Sequence, residues 1–230
     1  GNIMKKSIFT LLTIALLFCF VINTQTVFAI PQPFIRKFSI ESLQGIRPSE
    51  YVSANAASLA KGKMLLRSKG RGEISIKRWQ QSGQSYSNDL MQVQNVDIGT
   101  YGCMLTSFTM VADYLRNLDY DPGRVNKIIT TAACPFQSVV AGQRCSLSVD
   151  VNEFKNVSVA DTAAYVADGI SQGLPVIIGM ENSYTTHFVV AYAYSGELVY
   201  IKDPASDNKA TLQDYTNNGY WVNRILRYSY

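Results

Sequence analysis

The stretch from Leu174 to Pro204, LPVIIGMENSYTTHFVVAYAYSGELVYIKDP, decides the fold. Its first six residues, 174–179, form a short apolar run that predicts a buried strand. Residues 187–194 are rich in β-branched and aromatic side chains, and residues 198–202 repeat that pattern after the turn signal Ser-Gly-Glu at 195–197. The two runs therefore predict a β-hairpin that follows a central strand.

Helical patterns precede this strand-rich region. Apolar residues recur at three- and four-residue steps and predict a helix over 102–118, which ends before the turn signal Asp-Pro-Gly at 121–123. A second helix is predicted over 159–172, stopped by Gly173, and a last strand over 220–228. Helices followed by antiparallel strands predict the α+β class.

Composition narrows the function classes. The chain has 230 residues and is 47% hydrophobic, which fits one globular domain, alone or with a short pro-segment. Its 21 basic and 17 acidic residues nearly balance, so we expect no nucleic-acid partner. A single histidine, His187, excludes metal sites built on two or three histidines. Because no metal-ligand spacing or phosphate-binding loop is present either, we expect no cofactor.

Residues 1–29 predict a secretory signal peptide. Lys5 and Lys6 precede an apolar run from Ile8 to about Ile22, and Val27-Phe28-Ala29 supplies small residues for cleavage after Ala29. We interpret Gly1–Ile3, which precede Met4, as a remnant. The alternative is an uncleaved membrane anchor. No second apolar run is long enough to span a bilayer, so we expect an exported protein without stable membrane insertion after cleavage.

Residues 30–78 differ from the rest of the chain, with three prolines and a cluster of basic residues. We interpret them as an N-terminal extension, linker or pro-segment with one or two short helices. The alternative is that they pack as an early layer of the main domain, which we place at 79–230.

Three cysteines, Cys103, Cys134 and Cys145, remain after signal cleavage. In an oxidising compartment an odd count leaves one thiol unpaired. Cys134 and Cys145 flank a short polar segment, so we predict that they form a disulfide and leave Cys103 free, although three pairings are possible.

Three residues suggest nucleophilic chemistry. Cys103 starts the first predicted helix, where unpaired backbone N–H groups and the helix dipole favour a thiolate. His187 opens the hairpin and Asp203 closes it, with residue 195 halfway between them, so they should lie nearly opposite each other. The alternatives are a small buried cysteine, a packing or surface histidine, and turn chemistry at Asp203-Pro204. Taken together, the three residues match the composition of a Cys-His-Asp site.

Residues from Trp79 to the C-terminus resemble the C39-like peptidases of the papain-like superfamily. The resemblance is carried by IGTYGC at 98–103 with Thr106-Ser107 and Met110, by GLPVIIG at 173–179, and by His187 and Asp203-Pro204. It implies a papain-like fold, with the catalytic helix N-terminal and packed on an antiparallel sheet.

The resemblance also implies a role for each site residue. Cys103 would be the nucleophile, His187 the general base and acid, and Asp203 the residue that orients His187. Gln81 would donate to the oxyanion together with the Cys103 N–H, and we prefer it to Gln80, Gln92 and Gln94 because Tyr86 follows it five residues later.

The implied function is hydrolysis of a peptide or amide bond in a peptide or protein substrate by an exported cysteine peptidase. A non-catalytic binding module and a thioester acyltransferase are the alternatives, and the complete residue set argues against the first. Met104 stands where many members have glycine, and the transporter fused to the bacteriocin-processing members is missing. We expect specificity to lie in loops at 130–157 and 180–186, while the oligomeric state has no sequence signal.

Overall fold

The structure is a computed structural model that describes the backbone of residues 48–230 and the side chains of residues 55–230. The predicted signal peptide at 1–29 and residues 30–47 lie outside the described residues. Within the described part of the chain, no helix combines the length and apolarity needed to cross a membrane.

The helices and strands are, in chain order, α1 (Pro48–Ser68), β1 (Arg71–Glu73), β2 (Leu90–Met91), β3 (Val96–Asp97), α2 (Ile98–Tyr101), α3 (Cys103–Arg116), α4 (Pro122–Ile129), α5 (Ser138–Arg144), β4 (Ser148–Val157), α6 (Val159–Ser171), β5 (Val176–Glu181), β6 (Thr186–Ser195), β7 (Leu198–Lys202), α7 (Gln213–Thr216) and β8 (Trp221–Ser229). A short 3₁₀ turn, Thr130–Ala132, follows α4.

An antiparallel sheet forms the centre of the described residues, with the strand order β1–β6–β5–β8–β4. Strand β7 also pairs with β6, over residues 190–195 of that strand. Strands β2 and β3 form a small separate hairpin. This architecture confirms the predicted α+β class. The strands predicted at 187–194, 198–202 and 220–228 correspond closely to β6, β7 and β8, and the one predicted at 174–179 is β5, two residues further along.

Both faces of the sheet are buried, because side chains alternate between the faces and a helix covers each. On β5, Ile177 packs in the same core cluster as the α3 residue Phe108, whereas Val176 and Ile178 pack with residues of α6. Phe108 also contacts Tyr228 of β8, with ring centroids 5.0 Å apart. This two-sided burial is why the first five residues of β5, Val176–Met180, are all apolar.

The two predicted helices are confirmed, with small changes at their ends. Helix α3 ends at Arg116 because Asn117 adopts a left-handed conformation, with a φ of 51°. Helix α6 begins after Ser158, whose Oγ accepts a hydrogen bond from the backbone N–H of Asp161 at 3.0 Å.

Two predictions about turns and loops were wrong. Asp121-Pro122-Gly123 is the start of helix α4 rather than a turn: the Asp121 carboxylate accepts from the Arg124 N–H at 2.7 Å, and Pro122 occupies the first helical turn. The segment 130–157 is not a loop, since it contains α5 and the ten-residue strand β4, which pairs with β8; its part in specificity stays a prediction. Cross-strand pairing of this kind leaves no local signal in the sequence.

The described part of the 30–78 segment packs as a layer of the domain. Helix α1 lies along α6, and the backbones approach so closely that a Cβ on Gly62 would be 1.9 Å from the Ala164 carbonyl oxygen. Leu65 joins the core cluster of α6, and strand β1 extends the sheet by pairing with β6. Removal of the segment as a pro-segment stays a prediction.

The predicted disulfide is not formed. Cys103, Cys134 and Cys145 are all free thiols in the described residues. Most of the segment between Cys134 and Cys145 is helix α5, Ser138–Arg144, rather than a polar loop. Cys145 ends that helix and is buried in the core, whereas Cys134 Sγ donates to Gln94 Oε1 at 3.2 Å.

Candidate active site

Cys103 is the first residue of α3, and its side chain is only partly buried, while the nine residues that follow it are buried. The preceding Gly102 is required by packing, because a Cβ there would be 2.4 Å from the Ile98 carbonyl oxygen. Asp97 caps the short helix α2 by accepting from the Thr100 N–H at 2.7 Å. The local structure therefore presents the thiol at a helix N-terminus.

His187 is the second residue of β6, and its imidazole is hydrogen-bonded to Asp203 and lies near Cys103. Nε2 of His187 donates to Oδ1 of Asp203 at 2.9 Å. That bond leaves Nδ1 as the ring nitrogen available to the thiol of Cys103, which lies close enough to the imidazole to raise the pKa of His187. The structure thus brings together the three residues that the sequence predicted to meet.

Hydrogen bonding and charge set the protonation of this group. Burial alone would lower the pKa of His187, but its hydrogen bond to Asp203 and the neighbouring Cys103, together with the negative charges of both, raise it to about 9. A protonated imidazole beside the thiol is the partner that a thiolate needs at neutral pH.

The register that joins His187 and Asp203 differs from the predicted one. The hairpin turns at Gly196-Glu197, with Ser195 paired to Leu198, and a β-bulge at Tyr192 adds one residue to β6. Continuing the ladder would place Asp203 opposite Val189, two residues from His187. An even offset keeps both side chains on one face of the hairpin, whereas without the bulge the offset would be three and the faces would differ.

Asp203 is 1% exposed, and hydrogen bonds reach both of its carboxylate oxygens. Oδ1 accepts from the Ala205 N–H at 2.7 Å as well as from His187, and Oδ2 accepts from the hydroxyl of Tyr215. Burial would raise the pKa of Asp203, but the hydrogen bonds and the charge of His187 hold it below its ordinary value. The carboxylate is therefore ionised at neutral pH and fixes the orientation of the imidazole.

Gln81 links the two halves of the site. Its backbone N–H donates to the Pro204 carbonyl at 2.9 Å, and its side-chain Nε2 donates to the Gly99 carbonyl at 2.9 Å. The side chain is buried, and its Oε1 has no hydrogen-bond partner among the described residues. Gln81 thus connects the segment before Cys103 to the residue after Asp203, with one Nε2 hydrogen left to donate.

The other candidate glutamines have different surroundings. Gln80 Nε2 donates to Asp207 at 3.0 Å, whereas Gln92 and Gln94 are exposed, and Gln94 accepts from Cys134. Gln81 is the buried member of this group, which agrees with the preference for it.

The sequence analysis assigned no role to three residues that support the site. Tyr215 binds Asp203 from helix α7, and Arg78 Nε donates to the Asp203 carbonyl at 2.6 Å. Ser107 Oγ donates to the Phe188 carbonyl at 3.1 Å and so connects the Cys103 helix to the His187 strand. Ser107 belongs to a motif that the sequence offered. Tyr215 and Arg78 gave no signal, because their partners are 12 and 125 residues away.

Comparisons with known proteins found one family model and a solved structure that match this chain. The sequence model of the Peptidase_C39 like family matches residues 86–225. A crystal structure from Bacillus anthracis, described as that of a candidate C39-like peptidase, is 15% identical, with a TM-score of 0.45. The match covers 70% of this chain and 98% of that one. No curated protein matches the sequence.

Proposed function

The chain belongs to the Peptidase_C39 like family, and we propose that it is a papain-like cysteine peptidase that cleaves a peptide or amide bond with Cys103 as its nucleophile. The observation that carries the proposal is the His187–Asp203 hydrogen bond beside Cys103, which places the chain's single imidazole between a thiol and a buried carboxylate. The family match covers more than half of the chain and includes all three residues.

Acylation follows from these positions. The Cys103 thiolate attacks the carbonyl carbon of the scissile amide, forming a C–S bond and a tetrahedral oxyanion. The second Nε2 hydrogen of Gln81 and the Cys103 backbone N–H are the proposed donors to that oxyanion. As the intermediate collapses, the C–N bond breaks and protonated His187 gives its Nδ1 proton to the leaving amine.

Deacylation reverses the role of His187. Neutral His187 takes a proton from water, and the hydroxide attacks the thioester carbonyl. The carboxylic acid product leaves, and the thiolate–imidazolium pair forms again. Asp203 keeps the proton on Nε2 throughout, so Nδ1 stays directed at the reacting atoms.

The internal control for this proposal is Cys134, a second partly exposed thiol of the same chain. Burial, together with the negative charge of Cys103, raises the pKa of Cys134. Iodoacetamide should therefore alkylate Cys103 at least about tenfold faster than Cys134 at pH 7, as measured by mass spectrometry of the two peptides. Equal rates, or slower labelling of Cys103, would contradict the proposed nucleophile.

Cleavage is tested separately with a library of short peptides, whose new amino termini are counted by mass spectrometry. The wild-type protein should generate them. Cys103→Ala should generate none, while its free energy of unfolding stays within about 1 kcal/mol of the wild-type value. Cys134→Ala is the matched control and should retain cleavage. Cleavage by Cys103→Ala would overturn the proposal.

We also propose that the protein acts outside the cytoplasm. The support is the sequence of residues 4–29, with its two lysines, apolar run and small residues before the predicted cleavage site. Expression of the full chain with sequencing of the mature amino terminus tests this proposal. A mature protein starting at Ile30 in the exported fraction is expected, and full-length protein retained in the cytoplasm would refute it.

A further inference from the structure

Tyr215 contacts two members of the proposed site at once. It lies in the short helix α7 and is 8% exposed. Its hydroxyl donates to Oδ2 of Asp203, and its ring centroid lies 5.3 Å from that of His187, with the planes tilted by 36°. Burial and the neighbouring Asp203 raise the pKa of Tyr215 well above its ordinary value, so the phenol stays protonated and can donate.

The donors to Asp203 divide between its two oxygens. Oδ1 accepts from His187 and from the Ala205 N–H, whereas the hydroxyl of Tyr215 is the donor to Oδ2 within the described part of the chain. An oxygen this deeply buried gains no hydrogen bond from bulk water. The hydrogen bond from Tyr215 therefore replaces the solvation that Oδ2 loses on burial.

We propose that Tyr215 is a positioning residue that acts on His187 through Asp203: its hydroxyl shares the charge of the carboxylate, and its ring covers the imidazole. The proposal rests on the proposed function, because it assigns Tyr215 a part in keeping His187 able to give up its proton. The site then comprises four side chains in series, Cys103, His187, Asp203 and Tyr215.

The direction of the effect follows from competition between donors. Two groups that donate to one carboxylate each weaken the other's hydrogen bond, because both draw on the same negative charge. Tyr215 therefore binds Asp203 more strongly when His187 is neutral than when it is protonated. By linkage, the hydroxyl favours the neutral imidazole that deacylation requires, and its loss should raise the pKa of His187.

The backbone around Asp203 is held independently of Tyr215. Arg78 donates to the Asp203 carbonyl, and Gln81 donates to the Pro204 carbonyl. The charged and titratable groups close to the imidazole are Cys103 from α3, Asp203 after β7 and Tyr215 from α7. The Lys209 ammonium lies over the ring of Tyr215, 5.0 Å from the ring centroid. Removing the Tyr215 hydroxyl should thus remove one hydrogen bond that compensates the charge of Asp203, without moving the Asp203 main chain.

The test is an NMR titration of the imidazole, which is unambiguous because the chain has one histidine. Tyr215→Phe should raise the pKa of His187 by about half a unit or more, the size expected when a hydrogen bond to a buried charge is lost. Tyr220→Phe is the matched control: Tyr220 packs edge-on against Tyr215, with ring centroids 5.2 Å apart, and should leave the pKa unchanged. An unchanged or lower pKa in Tyr215→Phe would overturn the proposal.

Activity provides a second readout. In Tyr215→Phe, the pH at which deacylation reaches half its maximum should move upward with the His187 titration, while KM stays within about twofold. The NMR titration needs no substrate, so the two proposals fail in different ways. Slow alkylation of Cys103 in the wild type would reject the peptidase, whereas fast alkylation with an unmoved His187 titration would reject only the role of Tyr215.

Discussion

Asp168 and Asp203 are both deeply buried, at 3% and 1% exposed, but their partners differ in kind. Asp168 accepts from Arg227 at 2.6 Å and from Ser58 at 2.7 Å, and it pairs with Lys61 at 3.0 Å. Two of those partners carry permanent charge, and together they join α1, α6 and β8. Asp203 is instead matched by a titratable imidazole, a neutral phenol and a backbone N–H.

The difference separates a structural carboxylate from a functional one. Fixed cations compensate Asp168 in a way that does not change near neutral pH, so its contribution is to hold α1 on the domain. The charge that compensates Asp203 moves whenever His187 gains or loses a proton. A buried carboxylate with a titratable partner can therefore take part in proton transfer, whereas one with permanent partners cannot.

The largest expected effect is on stability at Asp168. Asp168→Asn leaves the partly buried Arg227 with Asp150 as its remaining acidic partner, and should reduce the free energy of unfolding by about 3 kcal/mol. Urea denaturation at pH 7 measures this loss. Alkylation of Cys103 should keep its wild-type rate in the folded variant, and a change there would mean that the two regions are coupled.

Asp203→Asn is the matched substitution in the site and should show the opposite pattern. Without the carboxylate charge, the pKa of His187 should fall from about 9 and the thiolate should lose its counter-ion. We expect alkylation of Cys103 at pH 7 to slow by about tenfold or more, with a smaller loss of stability than in Asp168→Asn. A wild-type labelling rate in folded Asp203→Asn would contradict a functional role for this carboxylate.

The free energy of unfolding should decrease at alkaline pH because His187 loses its proton, and Asp168 should not contribute to that decrease. The folded protein holds the His187 proton up to about pH 9, whereas the unfolded chain loses it near its ordinary pKa of about 6.5. The unfolded state therefore binds fewer protons between these values, so stability should fall by about 1–3 kcal/mol as the pH rises through this window. His187→Gln should remove that decrease in urea midpoints, and Asp168→Asn should retain it.

The sequence predicted the parts of the site that local patterns describe. The helical period located Cys103 at the start of α3, and the hairpin pattern brought His187 near Asp203. The predicted register was two residues off, because neither the turn at Gly196-Glu197 nor the bulge at Tyr192 could be placed from the pattern. The two deviations leave an even offset, which is why the pairing was right despite the wrong register.

The parts that were missed depend on contacts between distant segments. Strand β4 has no strict alternation of its own and is defined by pairing with β8. Asp168 gave no sign of a docking role, because its partners Ser58 and Arg227 are 110 and 59 residues away. Tyr215 likewise has no distinguishing signal in the sequence, because its contact with Asp203 forms only in the folded chain.

The ionisation of His187 is the most direct test of the site, and the chain's single histidine makes it readable in one NMR titration. In the wild-type protein the imidazole should titrate with a pKa of about 9, and the value should fall in Cys103→Ala, which lacks the thiol partner. A wild-type pKa near the ordinary value of about 6.5 that Cys103→Ala leaves unchanged would show that Cys103, His187 and Asp203 do not act as one group.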